Sequence, residues 1–116
     1  MIVTQTKPEF LTEALIEVLN NEWKVLSLEN NRSVYTQLEI EVGRKYIKVW
    51  SYLVSGGERL NGNSCWMFVD KNTGEVYKPA SYKAPAKIVR FNLLNIASRE
   101  QCFARADWAG GYLYVR

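Results

Sequence analysis

The strongest constraint on the fold is the alternation across residues 33–54. Residues 33–42 (SVYTQLEIEV) and 45–54 (KYIKVWSYLV) each alternate apolar and polar side chains with a period of two, as a half-buried strand does. Gly43-Arg44 between them has the composition of a two-residue type II′ turn. That turn sets Val42 opposite Lys45. Ile40 then meets Ile47, Leu38 meets Val49, Thr36 meets Ser51 and Val34 meets Leu53 on a core face. The other face pairs Glu41 with Tyr46, Glu39 with Lys48, Gln37 with Trp50 and Tyr35 with Tyr52. An opposite-charge pair and an aromatic pair falling opposite each other support this register. The outer face therefore carries Tyr35, Tyr46, Trp50 and Tyr52 with Lys48 among them.

The flanking segments complete an α+β pattern. Residues 6–21 read as a helix, with Thr6 and Glu9 as a capping box and Pro8 in the first turn. Phe10, Leu11, Ala14, Leu15, Val18 and Leu19 form its apolar stripe, and Asn20-Asn21 its stop. Residues 23–28 read as a short strand or a connecting segment, and Asn30-Asn31-Arg32 as a turn. Residues 55–63, with three Gly and two Asn, read as a mobile loop. Residues 64–70 read as a strand buried on both faces. Asp70 to Gly74 form a tight turn with Gly74 at positive φ, and residues 75–78 return as a fourth strand. Pro79 and Pro85 keep residues 79–86 irregular. Residues 87–95 fit a short helix through Ile88, Phe91 and Leu94, although Ile88-Val89 also suits a strand. Ser98 to Arg105 read as another short helix with Ser98 and Gln101 as its capping box, and residues 112–116 as a terminal strand or docked tail. The expectation is a single α+β domain over residues 1–116. It has an antiparallel sheet of about four strands built on the 33–54 hairpin, an N-terminal helix over one face, and short C-terminal helices.

Composition narrows the chemistry. The chain has 116 residues and no histidine, so a Ser-His-Asp or Cys-His nucleophile system cannot come from it alone. Cys65 and Cys102 fit no zinc-site spacing and read as small buried side chains. No phosphate-loop, dinucleotide-binding or calcium-loop motif occurs. No enzyme activity, metal or cofactor is expected. The N-terminus lacks a basic and an apolar signal region, and no apolar run approaches the roughly 20 residues of a membrane span. A cytosolic protein without membrane association is expected.

The positive charge is concentrated. Residues 1–76 carry 8 basic and 10 acidic side chains, whereas residues 77–106 carry Lys78, Lys83, Lys87, Arg90, Arg99 and Arg105 against Glu100 alone. Aromatics interleave with these cations at Tyr77-Lys78, Tyr82-Lys83 and Arg90-Phe91. Cations neutralise phosphates and ring faces stack bases, which is the pairing a single-stranded nucleic-acid site needs. The candidate binding residues are Lys48, Trp50, Tyr52, Tyr77, Lys78, Tyr82, Lys83, Lys87 and Arg90. A solvated basic surface explains the same pattern without function. The outer aromatic face fits a second role, binding a protein partner or a further copy of the chain.

The stretch from Phe68 to Lys87, FVDKNTGEVYKPASYKAPAK, followed by Arg90 and Asn92, resembles a family of small uncharacterised proteins of tailed bacteriophages. The family's G-R-K-Y-x-[KR]-[IV] strand is similar to Gly43–Val49, and its Y-L-x-[KR] ending to Tyr112–Arg116. The chain departs at Phe91, where the family more often has Gly. The resemblance implies a phage accessory protein acting in the host bacterial cytoplasm. Its partner would be a nucleic acid or a host or phage protein, or the chain would be a minor virion component. It implies no enzyme activity.

Overall fold

A computed structural model describes residues 7–106. Its elements are helix α1 (Pro8–Glu29), strands β1 (Val34–Val42), β2 (Tyr46–Ser55), β3 (Glu58–Arg59), β4 (Ser64–Asp70), β5 (Glu75–Pro79) and β6 (Pro85–Asn92), and helix α2 (Ile96–Arg105). The strands form one antiparallel sheet in the order β1-β2-β4-β5-β6, with β3 paired to β2. The α+β class and the single covered face agree with the sequence. The strand count does not: among the described residues the sheet has six strands rather than about four, and one helix follows it rather than several.

Helix α1 is longer than its first stripe suggests. Pro8 stands at its start, where a missing N–H costs nothing. The N-cap is Lys7, which makes no side-chain cap, and Thr6 lies outside the described residues. Asn20-Asn21 do not stop the helix; it runs to Glu29 and closes through Asn30, whose N–H donates to Leu26 O. Residues 23–28 are thus two helical turns, not a strand. Trp23 explains this, for it sits on the buried side and packs edge-on against Trp66 of β4, centroids 6.1 Å apart. The buried stripe is Leu11, Leu15 and Leu19 with Thr12 and Ser27, and the expected members Phe10 and Val18 are exposed. Asn31 then takes a left-handed φ of 55° in the expected turn.

The β1–β2 hairpin forms with its alternation as expected, but Val34 and Leu53, read on the core face, are exposed, Val54 of the other face is buried, and the register is two residues away. Val42 pairs with Ile47, Ile40 with Val49, Leu38 with Ser51, Glu41 with Lys48, Glu39 with Trp50 and Gln37 with Tyr52. Gly43 belongs to the ladder, its N–H donating to Tyr46 O at 2.9 Å, so the turn residues are Arg44-Lys45. The neighbouring β4–β5 turn holds this arrangement: Lys71 N–H donates to Lys45 O and Lys71 Nζ to Gly43 O, both at 3.0 Å. A one-residue move of the turn shifts every pair by two, and a two-residue slip leaves each side chain on its own face.

The middle and C-terminal parts bring the other corrections. Residues 55–63 are not simply a loop, because β3 pairs Arg59 with Val54 and Glu58 with Ser55. In β4 the register shifts where Val49 faces Met67 and Trp50 faces Cys65, leaving Trp66 as the extra residue of a bulge. Both Trp66 and Met67 then enter the core. The Asp70 turn forms as read. Asp70 Oδ1 accepts the N–H groups of Asn72 (2.8 Å) and Thr73 (3.0 Å), and Gly74 has φ 77°. Residues 85–92 are strand β6 rather than part of a short helix. Ile88-Val89 favour the extended chain, and Pro85 is tolerated as the first residue of an edge strand. Helix α2 starts earlier than the Ser98 box predicts: Asn95 caps it by accepting Ser98 N–H, while Ser98 Oγ accepts Asn92 N–H. Residues 112–116, read as a terminal strand or tail, lie outside the described residues.

The core lies between the helices and one sheet face. Leu11, Leu15 and Leu19 of α1 pack on Leu38, Ile47, Val49, Met67 and Val69, while Phe91, Leu93 and Cys102 close it below α2. Cys65 and Cys102 are both free thiols. No described helix is long and apolar enough to cross a membrane.

Candidate functional site

The sheet face turned away from the helices presents four even-numbered residues of β2, Tyr46, Lys48, Trp50 and Tyr52, while Val54 is buried. Its lower half is an aromatic row. Pairing places Phe68 beside Lys48 and Tyr77 beside Phe68, with Val89 of β6 beyond. Tyr46 meets both Phe68 (5.8 Å) and Tyr77 (6.2 Å) edge to face. Lys45 and Lys48 rim this cluster, the first 5.3 Å from the Tyr46 ring centroid and the second 5.7 Å from that of Phe68. Burial pushes the Tyr77 hydroxyl pKa up, and Glu75 adds to the shift, so the phenol stays neutral.

Trp50 and Tyr52 lie in different surroundings. Two carboxylates of β1 stand beside them. Trp50 Nε1 donates to Glu41 at 3.1 Å, and Arg59 clamps Glu39 through two bonds of 2.9 and 2.7 Å. The Arg59 guanidinium also lies 4.0 Å from the Tyr52 ring centroid, and Lys48 Nζ lies 5.7 Å from that of Trp50. One face of each ring is therefore already met by a cation. Cys65 pairs with Trp50 here, and burial pushes its thiol up to about 11.

The remaining candidates share the β5–β6 hairpin at the sheet edge. Lys78 is on β5, Tyr82 and Lys83 are in the connecting residues 80–84, and Lys87 and Arg90 are on β6. Ala80 and Ser81 N–H both donate to Ala84 O, which closes the loop. Tyr82 projects from it, 58% exposed, with Lys83 Nζ 5.5 Å from its ring centroid. Lys83 and Lys87 are exposed and make no ion pair with a described residue. Arg90 is the extra residue of a bulge between the Val76–Phe91 and Tyr77–Val89 pairs. Its Nε is buried without a hydrogen-bond partner among the described residues. From Val76 to Arg99 the chain contains no carboxylate side chain.

The nine sequence candidates thus form two groups. Lys78, Tyr82, Lys83, Lys87 and Arg90 share the hairpin, and Tyr77 joins them to Lys48 through Phe68. Trp50 and Tyr52 sit farther along β2 beside Glu41, Glu39 and Arg59. Phe68 packs beneath the aromatic row on the outer side of the sheet and is fully buried, so β4 is buried on both faces as the sequence reads. Lys45 was missing from the candidates because the register put it in a pair with Val42. Among the described residues no group of three His, Cys, Asp or Glu side chains could hold a metal ion.

Residues 3–115 match the model of a family of unknown function, DUF7717. No curated protein and no solved structure matches the chain.

Proposed function

We propose that this chain, which belongs to DUF7717, a family of unknown function, binds single-stranded nucleic acid through its β5–β6 hairpin and the adjoining aromatic row. The observation that supports this most is the edge hairpin, which has no carboxylate beyond Glu75 at its base and carries Lys78, Lys83, Lys87 and Arg90 with an exposed tyrosine at its tip. Its cations neutralise phosphates and release counterions, and Tyr82 offers a ring face to a base, worth about 1–3 kcal/mol. The strand lies along the hairpin toward Tyr77 and Lys48. Contacts to phosphate and ring faces carry no base readout, so the binding is sequence-tolerant. The resemblance of residues 68–92 to small tailed-bacteriophage proteins supports a non-enzymatic accessory role in the cytoplasm of an infected bacterium.

Titration of a labelled single-stranded 20-mer at two salt concentrations tests this. The two exposed cations, Lys83 and Lys87, give a slope of log K against log salt of about −1.4, or roughly a 7-fold loss between 50 and 200 mM salt. Lys83→Glu with Lys87→Glu weakens binding and flattens that slope; Tyr82→Ala weakens it with the slope kept. No binding at low salt, or binding indifferent to salt, overturns the proposal.

A second reading rests on Trp50 and Tyr52. Trp50 Nε1 is already satisfied by Glu41, and Arg59 over Tyr52 by Glu39, which suits a protein partner better than a phosphate chain.

A further inference from the structure

We propose that the outward stripe of α1 docks on the basic β5–β6 edge of a second copy of this chain, so that copies associate head to tail. This shares an edge with the nucleic-acid reading but does not rest on it.

Phe10, Val18, Val25 and Leu28 are 64, 56, 42 and 63% exposed. At about 100° per residue they fall, with Ala14 and Asn21, inside an arc of roughly 80° that runs the length of α1 away from its buried stripe. Four or five turns of apolar surface is more than scattered exposure. Glu13, Glu17, Glu22 and Glu29 flank it, exposed, and make no ion pair with a described residue; Lys24 is the only basic residue of the helix.

The β6 edge has the same construction with the opposite charge. Ile88, Val89 and Ile96 are exposed apolar side chains on or beside it, among Lys83, Lys87, Arg90 and Arg99. The sheet order places β1, on which α1 packs, at one edge and β6 at the other, four strand spacings or roughly 19 Å apart. One chain cannot bring its own two surfaces together.

Charge selects the occupant. Two α1 stripes facing each other would oppose glutamates to glutamates, and two β6 edges would oppose cations to cations. The cross pairing alone brings opposite signs and apolar area together. It uses different patches on the two copies, so it is heterologous and continues into a chain or ring.

Sedimentation velocity on nuclease-treated protein, with no nucleic acid added, reads the association directly. In 50 mM salt the weight-average sedimentation coefficient rises with concentration up to 100 µM, and in 500 mM salt the rise is lost. Two variants break one face each: Glu13→Lys with Glu17→Lys, and Lys83→Glu with Lys87→Glu. All four side chains are exposed, and unchanged thermal unfolding confirms that both variants fold. Each variant alone is a monomer. Mixed one to one, they associate again, since the intact faces pair as in the wild type and the two reversed faces now carry opposite charge to each other. A wild-type protein that stays monomeric at low salt overturns the proposal. So does association that survives either variant alone, as a helix-to-helix or edge-to-edge dimer would, or a mixture that stays monomeric. The first variant leaves the hairpin untouched, so its oligonucleotide binding separates failure here from failure of the nucleic-acid reading.

Discussion

Replacing Asn20 by alanine is expected to cost far more than the same change at Asn21. Asn20 sits in the middle of α1, where its amide meets the open edge of β1. Nδ2 donates to Leu38 O at 2.9 Å, and Oδ1 accepts Leu38 N–H at 2.7 Å. Odd residues of β1 bond to β2, as Gly43 with Tyr46 and Ser33 with Gly56 show, so the Leu38 backbone groups face outward. The asparagine amide thus acts as one more residue of a neighbouring strand. Gln37 Nε2 adds a third stitch, donating to the Asn20 backbone O at 3.0 Å. Leu38 is 2% exposed, so truncation leaves a donor and an acceptor without partners beside the core. At about 1–3 kcal/mol for each group left unsatisfied, discounted for some water entry at the edge, the loss is about 2–4 kcal/mol. That lowers Tm by roughly 10–20 °C for a domain of this size. Asn20→Asp keeps the acceptor but sets a carboxylate oxygen against Leu38 O, so it is expected to be at least as costly. Urea unfolding of Asn20→Ala, Asn20→Asp and Asn21→Ala decides the matter. Exposed Asn21 is expected to change stability by no more than about 0.5 kcal/mol. An Asn20→Ala protein as stable as Asn21→Ala would show that water replaces the amide without loss, and the stitching argument would fail.

Two further outcomes are expected. At Gly74, φ is 77° and an added Cβ would lie 2.8 Å from Leu94 Cγ, so Gly74→Ala combines left-handed strain with overpacking and costs about 2–4 kcal/mol. Gly57, at φ 85° with nothing within 4 Å, bears the strain alone and loses about 1–2 kcal/mol; equal melting temperatures for the two alanine variants would contradict this. Burial pushes the Cys102 thiol up to about 12 and the Cys65 thiol to about 11, so both are protonated at pH 8. A thiol reagent is expected to label neither at an unfolded-cysteine rate until denaturant is added, and rapid native labelling at Cys102 would contradict its burial.

Much of this protein is written in short-range pattern. Alternation over residues 34–54 assigns the hairpin side chains to a face, except at Val34, Leu53 and Val54, because the strand period is two whatever the register. The Asp70–Gly74 turn is likewise local, an aspartate capping the next N–H groups and a glycine free to take positive φ. The clustering of cations after Tyr77 is visible in the composition, and it becomes one edge because two short strands and a five-residue loop cannot separate them. Other features depend on partners distant in the chain. The hairpin register turns on Lys71 reaching the backbone at Gly43 and Lys45. The last two turns of α1 follow from Trp23 meeting Trp66, 43 positions away. Residues 85–92 are extended because β5 offers them a ladder across a bulge, which no helical or strand period within the segment reveals. Asn20 reads as a helix stop by its own propensity, yet it is kept inside the helix by a strand edge that exists only after the sheet has formed.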